Sequence, residues 1–169
     1  MEEQPKLDEP YSESPLFGSA ARNILPEAVA VDYLREDEHL YLGTVDGEYV
    51  DTFPFEVTRE TIDRGADLYS AYCTPCHGVS GYGDGVVVAE GFQPAASFYS
   101  DELIDAPVGR FYQAITLGVG GMYSYASRIQ PEDRWAVVAY IQALQLSQHA
   151  SLDELPPDLQ AQFDTLLNR

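Results

Sequence analysis

The stretch Tyr72–Gly85, YCTPCHGVSGYGDG, holds both cysteines of the chain, three positions apart, with His77 directly behind the second. Three chemistries use such a pair. A C-X-X-C dithiol belongs at the start of a helix in a βαβ setting, whereas Cys73 and Cys76 close a helical pattern with no βαβ alternation around it. A structural zinc site takes four ligands, so His39, His77 and His149 would have to complete it from distant positions. The third is C-X-X-C-H, the attachment sequence for c-type haem: two thiols add to the two vinyl groups of one porphyrin, and the next residue presents an imidazole to the iron. Spacing alone leaves all three open.

The surroundings favour the third. A haem iron held by His77 takes a sixth ligand from the opposite face, and apart from Met1 the chain has one methionine, Met122, 45 residues after His77 and preceded by "GVGG". A lone methionine otherwise fills gaps in a core, and His39 and His149 are rival ligands. A proximal imidazole is normally oriented by a hydrogen bond from its other nitrogen to a backbone carbonyl. Pro94, in "FQPAASF", is placed in sequence to supply it, the alternative being a proline that only stiffens a loop. Tyr123 and Tyr125 beside Met122, and Val79 beside the motif, are candidates for an apolar rim at the haem edge. Arg110 is a candidate partner for a propionate or an ordinary surface arginine.

Composition narrows the partners. With 28 acidic against 9 basic residues the formal charge is -19, which repels polyanions and argues against nucleic acid or an anionic membrane surface. Residues 1–51 carry 13 of the acids against Lys6, Arg22 and Arg35. Twelve tyrosines suit contact surfaces that are part apolar and part wet, or the edge of a small core. No apolar run reaches the roughly 20 residues of a membrane span, and the start "MEEQPKLDEP" has no signal-peptide pattern.

Along the chain, three regions are expected: an acidic, aromatic N-terminal arm over 1–57, a domain over 58–146 and a C-terminal tail over 147–169. In the arm, "VAVDYL" and "HLYLGTVDGEYVDTFPF" read as short strands or extended segments, with an Asp46–Gly47 turn. Thr58 caps a helix running to the cysteines, with Ile62, Gly65, Ala66, Tyr69 and Tyr72 on or near one stripe. Gly65 inside it predicts close approach of another backbone. "VGRFYQAITLG" predicts a short helix over 108–118. "PEDRWAVVAYIQALQL" predicts the clearest one, with Pro131 first and Glu132 and Asp133 at its positive end. The tail offers a Ser151 to Glu154 capping box and a helix after Pro157.

Taken together, the helix entering "CTPCH", Pro94, Met122 and the final helix with Trp135 and Tyr140 resemble the class I cytochrome c fold over about residues 58–146. That resemblance implies an all-α domain around one haem c, with an extended N-terminal arm and a short C-terminal helical appendage. It implies thioethers at Cys73 and Cys76, axial ligation by His77 and Met122, and a close crossing of the first and last helices that assigns Gly65, Tyr69 and Tyr140 to the contact. A narrower resemblance rests on "QPKLDEPYSESPLFG", "DEHLYLG", "FPFEVTRETIDRG", "YCTPCHGVSGYGDGVVV" and "DRWAVVAYIQALQLSQ". These segments are similar to the monohaem cytochrome c subunit of bacterial alternative complex III, a quinol-oxidising respiratory complex. The lipobox of that family is absent here, and "SAARNILPEAVAVDY" replaces its expected wording over about residues 20–35.

The resemblance implies an electron carrier and not an enzyme by itself. Its redox partners are multihaem cytochrome or other subunits of that complex and a cytochrome c or terminal oxidase acceptor. It also implies a location in the periplasm or on the outer face of the cytoplasmic membrane, with membrane association through the complex or a lipid anchor and a leader absent from this sequence. A free periplasmic electron shuttle and a haem-based sensor are the competing readings.

Overall fold

Thr58 starts the helix that carries the cysteine motif. Its side chain accepts the amide N–H of Thr61 while the Thr61 hydroxyl reaches back to the Thr58 backbone, a reciprocal cap that satisfies donors a helix start otherwise leaves unpaired. Among the described residues, eight helices occur in the order α1 Glu38–Leu42, α2 Arg59–Tyr72, α3 Thr74–His77, α4 Val86–Ala89, α5 Asp101–Ile104, α6 Val108–Leu117, α7 Pro131–His149 and α8 Pro157–Leu167, with strands β1 Thr44–Val45 and β2 Glu48–Tyr49 between α1 and α2. This computed structural model describes residues 15, 16, 18, 36–151 and 155–167. The expected "VAVDYL" strand and the Ser151 to Glu154 capping box fall outside the described residues in whole or part. The chain divides into units at Met1–Glu36 and Asp37–Arg169; all that follows concerns the second.

α2 and α7 form the most extensive helix pairing. At their crossing, a Cβ on Gly65 would lie 2.0 Å from the Ala136 carbonyl oxygen and 3.0 Å from the Tyr140 Cβ, so only a residue without a side chain fits. Tyr69, one turn on, packs its ring 5.2 Å from Tyr140. The contact among Gly65, Tyr69 and Tyr140 is therefore as the sequence predicted. Arg64 and Asp133 fasten its edge with two hydrogen bonds, Nε to Oδ1 at 2.9 Å and Nη2 to Oδ2 at 2.6 Å. α7 begins at Pro131 with Glu132 and Asp133 in its first turn, where acidic groups oppose the positive helix end. It continues to His149, past the boundary expected at 146.

The arm differs more. Glu38–Leu42 is a helical turn and not a strand, because Asp37 accepts the Leu40 N–H at 3.0 Å at one end and Gly43 closes the other in the left-handed conformation. β1 and β2 pair antiparallel across Asp46 (φ 51) and Gly47 (φ 83), the two left-handed residues that a tight hairpin turn requires. Trp135, wholly buried, donates Nε1–H to the Leu40 carbonyl at 2.9 Å. The His39 and Phe53 rings meet its indole edge-on, each at 5.7 Å. Gly109 N–H bonds the Val50 carbonyl at 2.9 Å. Residues 37–57 thus pack into the same compact unit as the rest.

Replacing Gly65 with alanine sets a gain in intrinsic helix propensity of about 1 kcal/mol against overpacking on backbone that cannot yield, about 1–3 kcal/mol. The clash at 2.0 Å makes overpacking the larger effect. Gly65→Ala is expected to lower the denaturant midpoint without changing the slope of the unfolding curve, and Gly65→Val to lower it further.

Candidate functional site

α2 ends at Tyr72 and the chain tightens at once into α3, whose Thr74–His77 turn contains Cys76 and His77. The exit is fixed from behind: Tyr69 donates its hydroxyl to the Gly78 carbonyl at 2.7 Å in a buried hydrogen bond, and burial drives that phenol above the ordinary tyrosine range. Cys73 lies half-buried and Cys76 exposed. Burial first, then the neighbouring Cys76, pushes the Cys73 thiol up to about 12. A thiol so shielded is a poor dithiol nucleophile, since reactive cysteines have depressed values; as a thioether it would carry no charge to desolvate.

Next to this turn is a cavity of about 350 Å³. Cys73 and His77 contribute to its wall from the motif, Met122 from the glycine-rich loop after α6, Phe111 and Ile115 from α6, and Val137 and Ile141 from α7. The Val119 and Met122 backbones exchange hydrogen bonds at 3.0 and 2.9 Å, which turns the loop so that Met122 lies half-buried at the cavity. His39 and His149 do not line it. His39 Nε2 is bonded to the Thr52 carbonyl at 2.7 Å, and His149 Nδ1 to the Gln145 carbonyl at 2.9 Å. Among the described residues no group of three or more His, Cys, Asp or Glu could hold a metal ion.

His77 stacks on Phe98, ring centroids 4.8 Å apart and planes 17° from parallel. Burial lowers its affinity for a proton, and the Ala96 backbone partly offsets that. The result is a neutral imidazole, the form that binds iron. Its Nδ1 is buried with no contact that meets full hydrogen-bond geometry. The backbone neighbour of His77 is Ala96, so the loop reaches the histidine two residues past Pro94. Gly81, at φ 80, allows this: its carbonyl accepts the Phe98 N–H at 3.0 Å, and a Cβ there would meet the Phe98 ring at 2.6 Å.

Tyr123 and Tyr125 are not among the residues lining the cavity. Tyr123 is 85% exposed, whereas Tyr125 is half-buried with its ring against Tyr72. Arg110 does line the cavity, paired with Glu102. Tyr49 also lines it, donating its hydroxyl to Gln113 Oε1 at 2.7 Å. Neither Phe98 nor Tyr49 stands out in the sequence, since each owes its place to residues far along the chain.

The residues present fit a covalently held haem: an apolar cavity lined by Cys73, with Cys76 three positions along on the same turn, a half-buried neutral imidazole at His77 and a thioether at Met122, 45 residues on. The helical fold and this site resemble those of a c-type cytochrome domain. Residues 60–141, just under half of the chain, match the family described as cytochrome C oxidase, cbb3-type, subunit III, so that stretch is similar to a cytochrome c domain, and its fold is mostly helical. Such a domain implies covalently bound haem c and haem-based electron transfer.

No curated protein sequence matches the chain. Among solved structures, a chain of the Kuenenia stuttgartiensis reducing HAO-like protein complex is similar at 25% identity and a TM-score of 0.48, covering 63% of this chain and 54% of that one. The present chain therefore spans about half the length of that relative. The c-type cytochrome KustC0563 is similar at 25% identity and a TM-score of 0.41, covering 48% of this chain and 96% of its own.

Attachment through both thiols has a spectroscopic consequence. In denatured protein in alkaline pyridine, Cys73→Ala and Cys76→Ala each are expected to move the haemochrome band to longer wavelength, as one vinyl group is restored. The double variant should yield haem extractable into acidic organic solvent; an unmoved band in both single variants contradicts attachment.

Proposed function

We propose that this chain is a monohaem electron carrier in which haem c is attached at Cys73 and Cys76 with His77 and Met122 as axial ligands. The observation that carries this reading is that His77 and Met122, remote in sequence, line one cavity. When bound, haem c supplies one-electron exchange between ferrous and ferric iron. His77, kept neutral by burial, and the Met122 thioether would hold the iron between them, which would leave no open place for a substrate and would favour electron transfer over catalysis. A thioether ligand raises the potential. The walls from Phe98, Phe111, Ile115, Val137 and Ile141 exclude water and disfavour the extra charge of the oxidised state. Arg110 and Tyr49 at the cavity are suited to propionate contacts.

The chain serves on this reading as a peripheral subunit of a quinol-oxidising complex of the alternative complex III type, on the outer face of the cytoplasmic membrane or in the periplasm. Multihaem cytochrome subunits are its donors and a cytochrome c or terminal oxidase its acceptor. The sequence segments shared with that subunit support it, and so does the aromatic segment 37–57, which extends the chain beyond the matched domain. The match over residues 60–141 favours a second reading, a haem subunit serving a cbb3-type oxidase. Co-purification from membranes separates the two by which multihaem or oxidase subunits accompany the chain.

Partner contact is proposed at Val79 and Tyr123, 74% and 85% exposed, with the acidic surface steering a basic docking site. Tyr123→Ala is expected to slow reduction of the physiological acceptor while leaving the potential unchanged, and an unaltered rate would remove Tyr123 from the interface. For the ligand set, Met122→Ala should keep covalent haem, lose the near-infrared band of methionine sulfur on ferric haem, and lower the potential by on the order of 0.1 V, part of the roughly 0.8 V range that axial ligands command. Unchanged spectra would refute Met122 as the ligand.

A further inference from the structure

Arg134 is 2% exposed, and a buried guanidinium is costly unless its donors are used. Here they reach both ends of the segment that carries Met122. Nη1–H donates to Thr116 Oγ1 at 2.6 Å, in the last turn of α6, and Nε–H donates to the Ile129 carbonyl at 3.0 Å, just before α7. The guanidinium also lies over the Tyr112 ring, 5.2 Å from its centroid. Thr116 is held in turn, its hydroxyl donating to the Tyr112 carbonyl at 2.8 Å. The Thr116 carbonyl accepts the Ser124 hydroxyl at 2.6 Å, and Ile115 accepts the Tyr125 N–H at 2.9 Å. Between these anchors stand Gly118, Gly120 and Gly121, residues that gain the most conformational freedom when a loop opens.

We infer that Arg134, acting through Thr116 and Ser124, is a positioning residue that holds the Met122 loop closed over the cavity and so determines whether the site opposite His77 is filled or open to an external ligand. This rests on the reading of Met122 as an axial ligand. The planar fork of arginine is needed because one group must donate in two directions at once, which a lysine ammonium on a flexible stem does less well. Loss of one anchor shifts the balance between closed and open loop, while the covalent haem and the far side of the site, built on α2 and α3, stay in place.

The test uses the haem-loaded full chain and its variants Ser124→Ala, Thr116→Val and Arg134→Lys, with Thr58→Ala as a control that weakens α2 at a distance from the loop. Haemochrome spectra establish equal loading. The near-infrared band of methionine ligation is then recorded in the ferric state, and carbon monoxide binding in the ferrous state. Thr116→Val and Arg134→Lys, which remove or distort the part-buried bond between Thr116 and Arg134, are expected to bind carbon monoxide with about a tenfold larger open fraction. Ser124→Ala, which removes an exposed bond, should give a smaller increase, and each loop variant a weaker band; Thr58→Ala should keep both at wild-type values. If Arg134→Lys does not accumulate, the other two variants decide. A band present in the wild type and undiminished in the loop variants, with no added carbon monoxide binding, overturns the clamp alone. A wild type without the band overturns the Met122 assignment and the clamp with it, and equal opening in Thr58→Ala reduces the effect to general destabilisation and likewise overturns it.

Discussion

The backbone of α2 passes the backbone of α7 at Gly65 and Ala136 closely enough to exclude a single methyl group, and the geometry of the site follows from that contact. α2 delivers Cys73 and the α3 turn at one end of the crossing, while α7 delivers Val137 and Ile141 to the cavity wall at the other. Widening the crossing would separate the attachment motif from its back wall. Tyr69 links the two scales, since its ring packs on Tyr140 across the crossing and its hydroxyl fixes the chain where it leaves the motif.

Burial and surface charge act on the site in opposite senses. The -19 net charge favours an oxidised, more positive centre, but exposed charges beyond about 8–10 Å are largely screened at ordinary ionic strength. The apolar cavity acts at contact range and is screened far less, so the local walls outweigh the global field. The same reasoning explains His77: its neutrality comes from desolvation, with the Ala96 backbone opposing it only in part.

Much of this was legible in the sequence because the signals are local. The Thr58 cap, the Pro131 start of α7, the Asp46–Gly47 turn and the glycine at position 65 each act through neighbours a few residues away or through the absence of a side chain. The C-X-X-C-H spacing singled out His77, and Met122 stood out as the one methionine besides Met1; the two line one cavity. What escaped depends on distant partners. Nothing in "EHLYL" reveals that its carbonyl at Leu40 accepts from Trp135. Arg134 reads as an ordinary polar position on an amphipathic helix, and Gln145 likewise, although its amide reaches the carbonyls of Phe98 and Leu103 at 2.7 and 3.1 Å. Pro94 marked the proximal loop, but a proline fixes a bend and not which of the next carbonyls faces the histidine.

The pairing of α2 with α7 also orders events in time. Gly65 and Ala136 meet only after the intervening chain has been closed into a loop, a step whose entropic cost precedes any reward from the contact. Until α7 docks, the cavity lacks the wall that Val137 and Ile141 provide, and Cys73 and Cys76 lie on a local turn with one side open. On the proposed reading, a group joined to the two sulfurs would meet an open turn before that helix docks and a closed wall after it.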